Sequence, residues 1–173
     1  MTARTRTSVG WAALLAAVLV CALGGWSYAQ VRGDDDLAYA KARDTALADG
    51  KAHLARLNSL DSKDAKSVDA GLAGWLGSST GPLHEQLKST RTKDASELTK
   101  SGSTARGKVT DAALTALDER TGTAQMIATV DVQVTPRTGK GGTERKRFEA
   151  ALARTPDGWK VKALTAIPVG SGT

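Results

Sequence analysis

The pattern of apolar and polar positions takes three forms along the chain. From Val9 to Val31 there is no periodicity, because the 23 residues VGWAALLAAVLVCALGGWSYAQV carry no charge. As a helix rising 1.5 Å per residue, this run spans roughly 34 Å and can cross a hydrocarbon core of about 30 Å. Trp11, Trp26 and Tyr28 stand near its ends, where aromatic rings favour the membrane interface. A soluble helix of this length carries a polar face, which is missing here. The run reads as a transmembrane helix.

Next comes a helical period. Leu37, Ala40, Leu47, Leu54, Leu57 and Leu60 recur at spacings that fit one helical face over 34–60, and Lys41, Arg43, Asp49, Lys51 and Arg56 fall elsewhere. Gly50 weakens that helix by about 1 kcal/mol relative to Ala. Asp61 suits the N-cap of a second helix, with Val68, Leu72, Trp75 and Leu76 on its apolar side. That helix stops in Gly77-Ser78-Ser79-Thr80-Gly81. Pro82 then fits the first position of a third helix, with Glu85 favourable in its first turn. Leu83, Leu87, Ala95 and Leu98 give this helix a buried stripe that ends near Ser101-Gly102.

The last third alternates with period two. Gly107–Leu117 predicts a strand, though alanines blur its alternation. In Thr123–Thr135, Met126, Ala128, Val130, Val132 and Val134 share one face, opposite Thr129, Asp131 and Gln133. A turn over Pro136–Gly142 leads to Glu144–Thr155, with Phe148, Ala150 and Leu152 on one side. Pro156-Asp157-Gly158 predicts a tight hairpin, and Trp159, Val161 and Ala163 begin a strand running to Ile167. Three helices followed by four strands make an α+β domain, with the helices on one face of a curved four-stranded antiparallel sheet.

Charge gives the chain a direction. Arg4 and Arg6 precede the apolar run and Asp34-Asp35-Asp36 follow it, which keeps the N-terminus in the cytoplasm and puts the domain outside. The expected layout is a basic N-terminus (1–8), a transmembrane helix (9–31), a juxtamembrane helix (32–60), a domain over 61–168 that shares the 34–60 helix, and a flexible tail (169–173). Ser27-Tyr28-Ala29 also fits a signal-peptidase site, with cleavage after Ala29. The length of the run and the bulk of Trp26 and Tyr28 favour retention. Val20 before Cys21 disfavours a lipoprotein.

Net charge is +6, with 24 Lys+Arg against 18 Asp+Glu. Without Arg4 and Arg6 it is +4, and both signs are mixed. Nucleic acid, which calls for a basic stripe with stacking aromatics, is not expected as a partner. A single cysteine, Cys21, excludes an intrachain disulfide and a thiolate metal site.

Candidate chemistry is sparse. The chain has no GxSxG, HExxH or P-loop motif, and no catalytic, metal or cofactor residue is assigned. His53 and His84 read as boundary histidines, and Asp34-Asp35-Asp36 as a solvated run. Asp131 is the best carboxylate candidate for cavity chemistry because it lies mid-strand, but it points away from Val130 and Val132. The densest charge is Arg137, Lys140, Arg145, Lys146 and Arg147, which could contact anionic headgroups or an acidic partner.

Five segments in this order carry a family resemblance. They are the membrane run ending GGWSYAQ, the helical LAYAKARDTALADGKAHLARLNSLD, the turn-helix WLGSSTGPLHEQL, the strand MIATVDVQVT and the hairpin PDGWKVKAL. The layout resembles the Mce-associated membrane proteins of actinobacteria. The resemblance implies a nuclear-transport-factor-2-like cone and a non-enzymatic accessory role, without cofactor, beside an Mce-type lipid-transport complex of the cell envelope. Two other readings stay open. One is a structural subunit of a type IV secretion or conjugation channel; the other is a small-molecule-binding or isomerase-like domain.

Overall fold

A computed structural model describes residues 36–168, together with Cys21 and Trp26. Two compact units divide the chain, Met1–Lys41 and Ala42–Thr173. The proposed membrane run lies outside the described residues except for Cys21 and Trp26, which are helical and exposed. The 169–173 tail also lies outside them. No helix among the described residues is long and apolar enough to cross a membrane.

Helix α1 is described over 36–57. Asn58 ends it by folding its side-chain amide back onto the Leu54 carbonyl, and the Ser59 hydroxyl caps the Ala55 carbonyl. The buried line on α1 differs from the leucine face expected. It runs Ala42, Ala46, Gly50, Leu54, while Leu37 is exposed. Small residues four apart let the helix lie close on the sheet. A Cβ on Gly50 would stand 2.9 Å from both Leu152 Cδ1 and Met126 Sδ. Gly50 is therefore a contact point, and its cost in helix propensity accompanies closer packing.

Strand β1, Leu60–Asp61, was not expected. Its two residues pair antiparallel with Ala105 and Thr104, which makes five strands rather than four. A two-residue strand has no alternation to read, so only the fold reveals it. It also reassigns Asp61, whose carboxylate accepts from the Lys63 N–H and the Thr104 hydroxyl. The N-cap of α2 (Ala65–Ser78) is Asp64 instead, accepting from the Ser67 N–H at 2.7 Å.

Helix α3 spans Gly81–Ser101, with Pro82 in its first turn and Gly102 closing it in the left-handed region at φ 60°. None of its residues is fully buried. The stripe Leu83, Leu87, Ala95 and Leu98 is half-buried, not buried as the sequence suggested.

Four long strands follow: β2 (Thr104–Asp118), β3 (Thr123–Thr135), β4 (Gly142–Thr155) and β5 (Gly158–Ile167). With β1 they form one antiparallel sheet in the order β1-β2-β3-β4-β5. The inner face carries Met126, Val130, Phe148, Leu152, Trp159 and Val161, joined by Ala46 and Leu54 from α1. Ala163 departs from its expected inward position. Ala151 pairs with Ala163 and Leu152 with Val161, so Lys162 is the extra residue of a bulge. One added residue reverses the alternation beyond it, and Leu164 rather than Ala163 packs toward the core. The Pro156-Asp157 turn forms as expected. The Thr155 hydroxyl donates to the Gly158 carbonyl and accepts from the Asp157 N–H.

Candidate functional site

The inner face of the sheet offers little polar chemistry. A small cavity of about 260 Å³ opens where the ends of α1 and α3 meet the sheet, lined by Leu57, Trp75, Leu98, Val132, Val134 and Lys146 among others. Trp75 closes one side, its indole N–H held by the Ser59 carbonyl at 3.0 Å. Lys146 is the one basic side chain of this lining. It pairs with Glu144 at 3.2 Å.

Neither histidine enters this cavity. His53 is half-buried beside Asp49 and Trp159, and burial pushes its pKa below the usual 6.5, against the raising effect of Asp49. Asp49 accepts the Trp159 N–H at 3.1 Å and so ties α1 to the start of β5. His84 caps a helix end. Its Nδ1 lies 3.1 Å from the Leu76 carbonyl, and the Ser79 hydroxyl is 3.5 Å away. Among the described residues, no group of three or more His, Cys, Asp or Glu is placed to hold a metal.

Asp131 lies on the outer face, opposite Arg145 in the β3–β4 register. The guanidinium grips it twice, Nε to Oδ1 at 2.8 Å and Nη2 to Oδ2 at 3.1 Å. These hydrogen bonds lower the Asp131 pKa and raise that of Arg145. A carboxylate held ionised in this way is a poor proton acceptor.

The five candidate cations do not converge. Arg145 and Arg147 project to the outer face, while Lys146 between them projects inward by strand alternation. Arg137 lies against the C-cap of α3, where a Cβ on Gly102 would meet its Nε at 2.5 Å. Lys140 is exposed in the β3–β4 loop. Among the described residues, Arg137, Lys140 and Arg147 form no ion pair within 4.0 Å, so a headgroup contact would fall to these three.

One feature of the outer face was not expected from the sequence. On the outer face, Asp111, Ala113, Ile127, Thr129, Arg147 and Ile167 surround an open depression of about 420 Å³. Ile127 was legible as an outward position, because it alternates with Met126 and Ala128. The bulges of β2, which bring Asp111 opposite Thr129, were not legible.

Comparison with solved structures finds a similar fold in several proteins, three of them at a TM-score above 0.5 as follows. CagV, a VirB8 homologue of the T4SS from Helicobacter pylori strain 26695, is 11% identical with a TM-score of 0.53, over 70% of this chain and 98% of that one. A periplasmic fragment of TraM is 13% identical, TM-score 0.54, over 70% and 94%. The periplasmic domain of DotI is 10% identical, TM-score 0.53, over 71% and 93%. At these identities the likeness is one of fold alone. No protein-family model and no curated sequence matches the chain.

Proposed function

We propose that this protein is a non-enzymatic structural subunit of a multi-protein envelope assembly of the type IV secretion or conjugation kind, anchored by Val9–Val31 with its domain outside the cytoplasm. The observation that carries this reading is the fold shared with CagV, whose T4SS is itself such an assembly, over 98% of that chain. The titratable side chains support a scaffold role. His84 caps a helix, Asp131 is neutralised by Arg145, and His53 borders the packed core. In this reading catalysis has no part, and the surface does the work.

An Mce-type lipid-transport complex is the second reading, favoured by the order of segments along the sequence rather than by the structural neighbours. Crosslinking in intact cells, followed by affinity purification from native membranes, separates the two. Secretion or conjugation components beside the tagged protein support the proposal. Mce components in their place support the second reading, and recovery of the protein alone removes both.

A further inference from the structure

Ser62 follows β1 and is pinned beside the sheet, its N–H donating to the Ser103 carbonyl at 2.9 Å. The residue is 1% exposed. Among the described residues, its hydroxyl has no hydrogen-bond partner. Every fully enclosed side-chain polar atom among them is hydrogen-bonded. The unpaired hydroxyl therefore touches open space, and the open space that Ser62 lines is the cavity of about 260 Å³. A hydroxyl buried without a partner costs free energy, and a molecule in the cavity that supplies one recovers it.

The rest of the lining sets the chemistry of such a molecule. Leu57, Leu60, Trp75, Leu98, Val132 and Val134 make the walls apolar. The other polar side chains are engaged. The Asn58 amide holds the Leu54 carbonyl, the Ser103 hydroxyl meets that of Ser101, and the Lys146 ammonium pairs with Glu144. That ion pair has no net charge, so it does not select an ion. A lone water is poorly served, because a buried water makes about three hydrogen bonds and Ser62 offers one unengaged hydroxyl. Size gives a further limit. A cavity of about 150 Å³ holds one benzene, so 260 Å³ takes about ten non-hydrogen atoms on the same scale.

We propose that this cavity binds a small uncharged alcohol or phenol, its hydrocarbon body against the apolar walls and its oxygen hydrogen-bonded to the Ser62 hydroxyl. The site supports binding rather than reaction. No histidine lines it, so Ser62 has no general base to activate it as a nucleophile. An occupant would touch Leu57 of α1, Trp75 of α2, Leu98 of α3 and Val132 of β3 together. A ligand held only by the folded arrangement stabilises it, so binding ties the three helices to the sheet. This function stands apart from the scaffold reading and does not rest on it.

Fluorine NMR on the full-length chain in lipid nanodiscs tests this with two probes of matched shape, 4-(trifluoromethyl)phenol and (trifluoromethyl)benzene. Empty nanodiscs give the background from partition into lipid. The phenol should bind about fivefold more tightly than the analogue lacking the hydroxyl, the increment of one hydrogen bond. In Ser62→Ala that preference should vanish while Tm stays level or rises, because the variant removes an unpaired hydroxyl. Ala105→Leu, which fills the cavity from β2, should block both probes. Ser62→Ala, which only trims a side chain, decides the case if Ala105→Leu does not fold. No binding above the nanodisc background, equal affinity for the two probes, a phenol preference that survives Ser62→Ala, or tighter binding of the anion 4-(trifluoromethyl)benzoate would each overturn the proposal.

Discussion

Replacing Gly50 tests the close approach of α1 to the sheet, because two opposing effects decide the sign. In an exposed helix interior, Gly→Ala stabilises by about 1 kcal/mol. Here the new Cβ would sit 2.9 Å from Leu152 Cδ1 and from Met126 Sδ, closer than real Cβ atoms come to a neighbour. Leu152 is 1% exposed and Met126 0%, so neither can move into solvent. Overpacking a filled core costs typically ~1–3 kcal/mol. Taking the middle of that range, Gly50→Ala should destabilise by about 1 kcal/mol net, roughly 4 °C in Tm for a domain of this size. Gly50→Val adds two carbons more than Gly50→Ala and gains less in propensity, so it should cost about 3 kcal/mol. Thermal unfolding of the full-length protein in detergent micelles, followed by circular dichroism, gives both values. A variant with Met126→Ala beside Gly50→Ala should show coupling of about 1 kcal/mol or more, since the new methyl gains room. If Gly50→Ala raises Tm, the packing argument is refuted.

Four further outcomes follow from the same structure. Trp159→Ala should cost about 3–5 kcal/mol in chemical denaturation, since it empties a site that is 2% exposed; a loss below 1 kcal/mol would put the core elsewhere. Asp64→Ala should lower Tm modestly while Asp61→Ala should not fray α2, because the cap on Ser67 belongs to Asp64; helix content by circular dichroism distinguishes them. The folded His53 pKa is depressed, so the unfolded state binds the extra proton and stability falls as pH drops below about 6.5. His53→Gln should remove that loss but leave the one below about 3.8, where Asp61, Asp64, Asp118 and Asp131, all depressed, become protonated; an unchanged profile between pH 5 and 6.5 would reject the assignment. Finally, alkaline carbonate should leave the protein in the membrane pellet if Val9–Val31 is retained, and release to the supernatant would favour cleavage after Ala29.

Much of the architecture was legible because it depends on side-chain period. The alternation Met126, Ala128, Val130, Val132 gave β3 and its inner face, and Pro156-Asp157-Gly158 gave the last turn. Pro82 and Gly102 bracketed α3. What escaped depends on contacts between distant segments. Strand β1 exists because Leu60 and Asp61 meet Ala105 and Thr104, forty residues or more away. The Ala42–Ala46–Gly50 line looked weak by hydrophobicity, yet small size is what the close contact selects. The bulge at Lys162 reversed the facing of Ala163 and Leu164 without any mark in composition. The basic residues 145–147 looked like one patch in sequence, but a strand sends neighbours to opposite faces. The depression around Asp111, Thr129, Arg147 and Ile167 needs four strands in register before it exists at all.

The central claim is that this chain is a structural subunit working within a larger assembly. The most direct measurement is the composition of the complex solubilised from native membranes in mild detergent, resolved by size and identified by mass spectrometry. The account predicts that the protein migrates in a particle far larger than a single copy of the chain, together with other membrane-associated subunits of a secretion or conjugation apparatus. Migration as a monomer or homodimer with no other protein would contradict it.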